Sequence, residues 1–178
     1  ATATGPNSVT VSWTPSAGAA SYEVFRSSGS GFATIGISPS SPFVDNSAAA
    51  NTAYLYEVRV LTPGVTGFST PDLATTVIFT NPVLTINSSI VRAADFTELQ
   101  TAINAVRALA GVGAHVFGTP LTPNVALILA ADVIELRNAL DPARAALSLP
   151  AIVYTHPAIT VSTLISAADL NDLRNGVK

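Results

Sequence analysis

The sequence predicts two modules in series, an all-β sandwich over residues 1–79 and a mainly α module over residues 80–178. Three observations carry this. Up to residue 79, apolar and polar residues alternate in short runs separated by turn clusters, the period of half-buried strands. Beyond it, apolar residues recur every three and four positions, the period of amphipathic helices. The second half also repeats itself: Ala93-Ala94-Asp95 returns as Ala130-Ala131-Asp132 and again as Ala167-Ala168-Asp169, 37 residues apart each time. A repeat of that size is one supersecondary unit stacked on copies of itself. The expected units are about 80–116, 117–153 and 154–178.

In the first half, strands are expected at residues 9–13, 21–26, 32–37, 43–44, 54–60 and 74–79. Thr14-Pro15-Ser16-Ala17-Gly18, Ser27-Ser28-Gly29-Ser30-Gly31 and Ser38-Pro39-Ser40-Ser41-Pro42 break the pattern between them. Trp13 after an alternating run, Tyr22 opening the next, and Asn51-Thr52-Ala53-Tyr54-Leu55-Tyr56-Glu57-Val58 resemble a fibronectin type III domain. The resemblance implies that Trp13 and Tyr22 pack in the core. It also implies that the Tyr54 hydroxyl bonds nearby backbone as a corner. The first strand reads as clipped, and the loop from Pro63 to Phe68 carries no Arg-Gly-Asp.

In the second half, Phe96, Leu99, Ile103, Val106 and Leu109 mark a first helix over residues 93–110, stopped by Gly111-Val112-Gly113. Val133, Leu136 and Leu140 mark a second, with Asp141-Pro142 either kinking it or opening another helix. The third, carrying Leu173, starts at Ser166 with a capping-box pattern and is expected to end at an Asn175-Gly176 cap. Extended stretches at residues 83–86, 120–122 and 151–161 are too short and proline-rich for a large sheet. Each unit is led in by an aromatic and a proline, as in Phe79-Thr80-Asn81-Pro82 and Tyr154-Thr155-His156-Pro157. This pattern resembles a repeat near the C-termini of large secreted bacterial proteins. It departs from that pattern at Gln100, where arginine is usual, and at Asp95, Asp132 and Asp169, where histidine is usual.

Composition narrows the function classes. The chain is 48% hydrophobic and only 11% charged, with a net charge of −3. Eight Lys and Arg spread over 178 residues supply no basic patch for nucleic acid. No apolar run approaches the roughly 20 residues that span a bilayer. Without cysteine, disulfides, thiol catalysis and Cys-ligated metals are excluded. Lysine occurs only at Lys178, while Ser, Thr, Ala and Val are abundant, which points to an extracellular bacterial protein. The absence of methionine suggests a processed product or a piece of a longer chain. So low a charge also suggests that part of the surface is hidden in an assembly.

The acidic pairs Asp95/Glu98, Asp132/Glu135 and Asp169/Asp172 are the candidate site. Their spacing of three sets each pair on one helical face. Such carboxylates could bind Ca²⁺ or share acid–base work, but no calcium loop is present. Acids in a first turn also cap free amides, and Arg107, Arg137, Arg144 and Arg174 could pair with them across units. A residue needed once for catalysis would not recur in every copy, so no catalytic residue, cofactor or metal is assigned. His115 and His156 lack metal spacing and are read as loop residues.

The expected function is a non-enzymatic extracellular structural protein, a self-assembling surface or filament component. Its expected partners are copies of itself or other surface proteins, held by alanine-rich helix faces (Ala102, Ala105, Ala139, Ala143) and open sheet edges. The alternative is a binding or anchoring module of a larger secreted protein, with Phe32, Phe68 or Tyr154 as a glycan platform.

Overall fold

The computed structural model describes residues 1–62, 67–85, 91–118, 129–160, 163 and 165–178. Seven strands precede three helices: β1 (Thr2–Gly5), β2 (Ser8–Val11), β3 (Tyr22–Ser27), β4 (Phe32–Ser38), β5 (Phe43–Asp45), β6 (Ala53–Val60), β7 (Asp72–Thr75), α1 (Ala93–Leu109), α2 (Ala130–Ala146) and α3 (Ala167–Gly176). The strands form two antiparallel sheets, ordered β1-β2-β5 and β4-β3-β6-β7.

Side-chain alternation divides the strands between two cores. Val9, Val11, Tyr22, Val24, Tyr54, Tyr56, Val58 and Ala74 fill the space between the sheets, with Trp13 packed at its margin. The residues that point the other way from β6 and β7 do not face water. Ala53, Leu55 and Leu73 join Val77 and all three helices in a second core containing Phe96, Leu99, Ile103, Leu136, Leu140, Leu170 and Leu173. Tyr54, Leu55 and Tyr56 are therefore buried in succession, although they point to opposite faces. Every helix shares a core with the outer face of the four-stranded sheet.

The clipped first strand is β1, paired with β2 from Thr2 to Gly5 as expected. Several other expectations are corrected. The last strand ends at Thr75 rather than residue 79. The Thr76 amide donates to the Thr52 carbonyl at 2.9 Å, after which Val77 turns into the helical core. Pro142 neither starts a helix nor splits one: α2 is a single helix through it. The carbonyl deprived of a donor belongs to exposed Asn138, while Leu140 and Ala143 keep the apolar face in register. Gly176 is no cap but the last residue of α3, where an added Cβ would collide with Ile152 Cδ1 and approach Leu140 Cδ2 to 3.1 Å. The alanines expected as outward glue are consumed internally: Ala102, Ala105, Ala139 and Ala143 are all buried in the chain's own core. Residues 120–122, 86 and 161 lie outside the described set.

Candidate functional site: carboxylates and arginines between the helices

The three helices open in the same way. Asp95, Asp132 and Asp169 stand three residues after the N-caps Arg92, Leu129 and Ser166, and each carboxylate accepts the N-cap amide at 2.7, 2.7 and 3.0 Å. The N-cap carbonyl takes the aspartate amide in return. Only Ser166 adds a side-chain contact, donating its hydroxyl to Asp169 at 3.0 Å. An aspartate here satisfies an amide that helical geometry leaves free and offsets the dipole. All three are buried.

The second acid of each pair does different work. Glu98 accepts from the Thr80 amide at 3.0 Å, Glu135 from the Gly118 amide at 3.0 Å, and Asp172 from the Thr155 amide at 2.6 Å. Thr80, Gly118 and Thr155 each follow the lead-in aromatic, so these acids fasten the incoming chain to its helix. Glu135 is also 3.0 Å from His115 Nε2, whose ring packs edge-on against Phe117. The two acids of a pair thus share no ligand position. Among the described residues no group of three or more His, Asp or Glu is placed to hold a metal ion.

Two arginines connect one helix to the next. Arg137 of α2 donates to the His156 carbonyl at 2.7 Å and to Asp169 at 3.2 Å, with its guanidinium 3.9 Å from the Tyr154 ring centre. Arg174 of α3 repeats this toward α1, donating to the Asn81 carbonyl at 2.7 Å and to Asp95 at 2.7 Å, over Phe79 at 4.4 Å. The third helix therefore grips the first, and the series closes. Gln100 occupies the corresponding position of α1. Among the described residues the Gln100 side chain makes no hydrogen bond and no cation reaches Asp132; residues 119–128 lie outside that set.

Among the described residues Arg107 and Arg144 make no ion pair with an acid, contrary to expectation; both reach carbonyls. Arg107 donates to Gly113 at 2.9 Å and Ala139 at 2.8 Å, and Arg144 to Pro150 at 2.8 Å and to Gly176. Ala139 and Gly176 are again 37 residues apart. A guanidinium has five donors and suits carbonyls that a neighbouring helix end or loop presents.

Burial favours the neutral form of Asp169, but the Ser166 amide, His156 and the Ser166 hydroxyl outweigh it and hold the carboxyl below its ordinary 3.8. Burial, and then the bond to Asp141, push the Tyr154 hydroxyl well above its usual value. That bond is 2.6 Å long, and both partners line a cleft of about 360 Å³ together with Arg137, Asn138 and Ile159. Tyr154 is half-buried with a face under Arg137, so it is not the open platform expected of it. Phe32 and Phe68 are 39% and 48% exposed.

In the sandwich, Trp13 lies 5.1 Å from Tyr22 ring to ring, the Tyr22 hydroxyl accepts the Ser16 amide at 2.8 Å, and the Tyr54 hydroxyl accepts the Ala49 amide at 2.9 Å. Sequence reasoning missed a network beside them. Asp45, buried at the end of β5, accepts from Arg26 at 2.7 Å, Tyr56 at 2.9 Å and the Ser47 amide and hydroxyl. Desolvation opposes its charge, yet Ser47, Tyr56 and Arg26 hold its pKa below the ordinary value. The available signal was local: Asp45 and Ser47 at spacing two form an Asx-type turn.

No protein-family model matches the chain, and no curated protein matches it. Among solved structures it is similar to the crystal structure of FN3tt, with 21% identity and a TM-score of 0.34, over 40% of this chain and 76% of that one. Among the described residues no helix is long and apolar enough to cross a membrane.

Proposed function

We propose that this chain is a non-enzymatic structural protein of the bacterial exterior, a stiff block that assembles with copies of itself into a surface layer or filament. In this reading a fibronectin-III-like sandwich carries a closed ring of three helical units. The observation that supports it best is the single core running from Leu55 and Leu73 of the sheet through all three helices. A block of this kind transmits load without a hinge at the join near Phe79. The buried Arg174–Asp95 and Arg137–Asp169 pairs stiffen it further, because a half-broken buried pair is costly. The shifted ionisable groups of the helical part are all engaged, Asp169 by Ser166, His156 and Arg137, Tyr154 by Asp141, and Arg144 by the Pro150 and Gly176 carbonyls, which favours bracing over turnover.

Light scattering of the native particle, with negative-stain imaging of the same sample, tests the reading. Defined oligomers or polymers are expected. A monomer of 18.2 kDa that persists at high concentration contradicts it. The exposure of Phe32 and Phe68 favours a second reading, a glycan-binding or anchoring module of a larger secreted protein. In that case Phe68→Ala abolishes glycan retention, while stability falls only by the loss of its contacts with Phe25 and Arg59.

A further inference from the structure

Four strands lie at sheet edges, and three of them are short: β1 has four residues, β5 three and β7 four. The fourth, β4, has seven and among the described residues pairs on one side only, with β3. Long edges are normally guarded by charge or proline, because their free amides and carbonyls template another strand. Phe32–Ser38 contains neither, and Ile37 is 61% exposed on it. Its one guard is a bulge, where Ile35 is skipped between the Thr34 and Gly36 pairings with β3.

Resting on the self-association reading above, we propose that β4 is the contact: two copies of this chain pair antiparallel along it, joining their four-stranded sheets into one. Charge identifies a second copy as the occupant. Residues 27–44 include no Asp, Glu, Lys or Arg in a protein of net charge −3. Two-fold pairing on this edge therefore opposes no charged β4 side chains, and the nearest carboxylate, Glu23 of β3, is already neutralised by Arg59. A neutral apolar edge equally offers nothing to select a charged foreign strand. A two-fold axis between Ile35 and Gly36 sets Thr34 against Ile37 and Ala33 against Ser38 of the second copy, so that opposed side chains share a face of the joined sheet, with the bulges of both strands at the axis. The contact is isologous and self-limiting, so a filament uses a second surface besides it.

The test compares the intact chain with Ile37→Lys and Ala33→Lys by sedimentation over a concentration series, with Val153→Lys, 92% exposed and remote from the strand, as the control. Both edge positions are exposed, so an unchanged melting temperature is expected and verifies the fold. Two-fold pairing predicts dimer dissociation constants raised about ten-fold or more by each edge lysine, since each sets a charge into an apolar interface, and no change from Val153→Lys. Association retained unchanged by both edge variants overturns β4 pairing while leaving self-assembly standing. A wild-type chain that is monomeric throughout overturns both.

Discussion

The sandwich and the helices solve the same problem with different bonds. In the sandwich, distant segments are tied by backbone ladders: β3 and β6 pair over six consecutive residues although far apart in sequence. A helix spends its amides and carbonyls on itself, so α1, α2 and α3 have no such ladder to offer one another. Side chains supply the cross-links instead. Glu98, Glu135 and Asp172 bind lead-in amides, while Arg107, Arg137, Arg144 and Arg174 bind carbonyls of the next unit. Half of the eight basic residues in a charge-poor chain are used this way. The sandwich has its buried polar knot at Asp45 and a more exposed one where Glu23 accepts from Arg59 and Thr34.

That contrast can be broken first at the knot. Asp45→Ala strands buried Tyr56 and half-buried Arg26 together, and a loss of about 3–5 kcal/mol in urea unfolding is expected. Arg137→Met removes two cross-links and the contact over Tyr154 but leaves His156 on Asp169, 3.0 Å away. About 2–3 kcal/mol is expected by the same measurement. Gly176→Ala forces a methyl against Ile152 and costs about 1–3 kcal/mol; Ile152→Val in the same chain restores part of it.

Smaller effects sharpen the comparison. Gln100→Arg supplies α1 with the arginine that α2 and α3 carry, and about 1 kcal/mol of stabilisation is expected if it reaches Asp132. The acid dependence belongs to both regions. Asp45 and Asp169 have folded pKa values below their ordinary 3.8, so each stabilises the fold above its unfolded pKa. That contribution is lost as pH falls through the folded values. Melting temperature should therefore be flat from pH 7 to 5 and fall below about pH 4, with Asp45→Asn reducing the slope.

What could be read from the sequence divides along the same line. Alternation marks strands and three-and-four spacing marks helices because both follow from local geometry. Asp169 three residues after Ser166 is equally local. The repeat leads one to expect Arg137 and Arg174 on acids of other units, where they stand; which acid each meets, 32 and 79 positions away, is set by packing. The end of β7 was misplaced because Val77 and Phe79 alternate like strand residues while serving the helical core. Gly176 looked like a cap because glycine at a helix end usually supplies a left-handed turn. Here it supplies closeness to Ile152. The alanine faces were assigned outward because composition alone does not say which neighbour covers them.

The closure of α3 onto α1 is the feature that separates a ring from an open stack, and the ion pair within it spans 79 residues of sequence, beside bonds from Arg174 to the Asn81 carbonyl and from Asn171 to the Leu84 carbonyl. A double-mutant cycle with Arg174→Met and Asp95→Leu, read by urea unfolding, measures it. A coupling of about 2 kcal/mol or more, with the double variant more stable than Arg174→Met alone, is predicted. Additive effects, with coupling under about 0.5 kcal/mol, would show that the helices do not close through this pair.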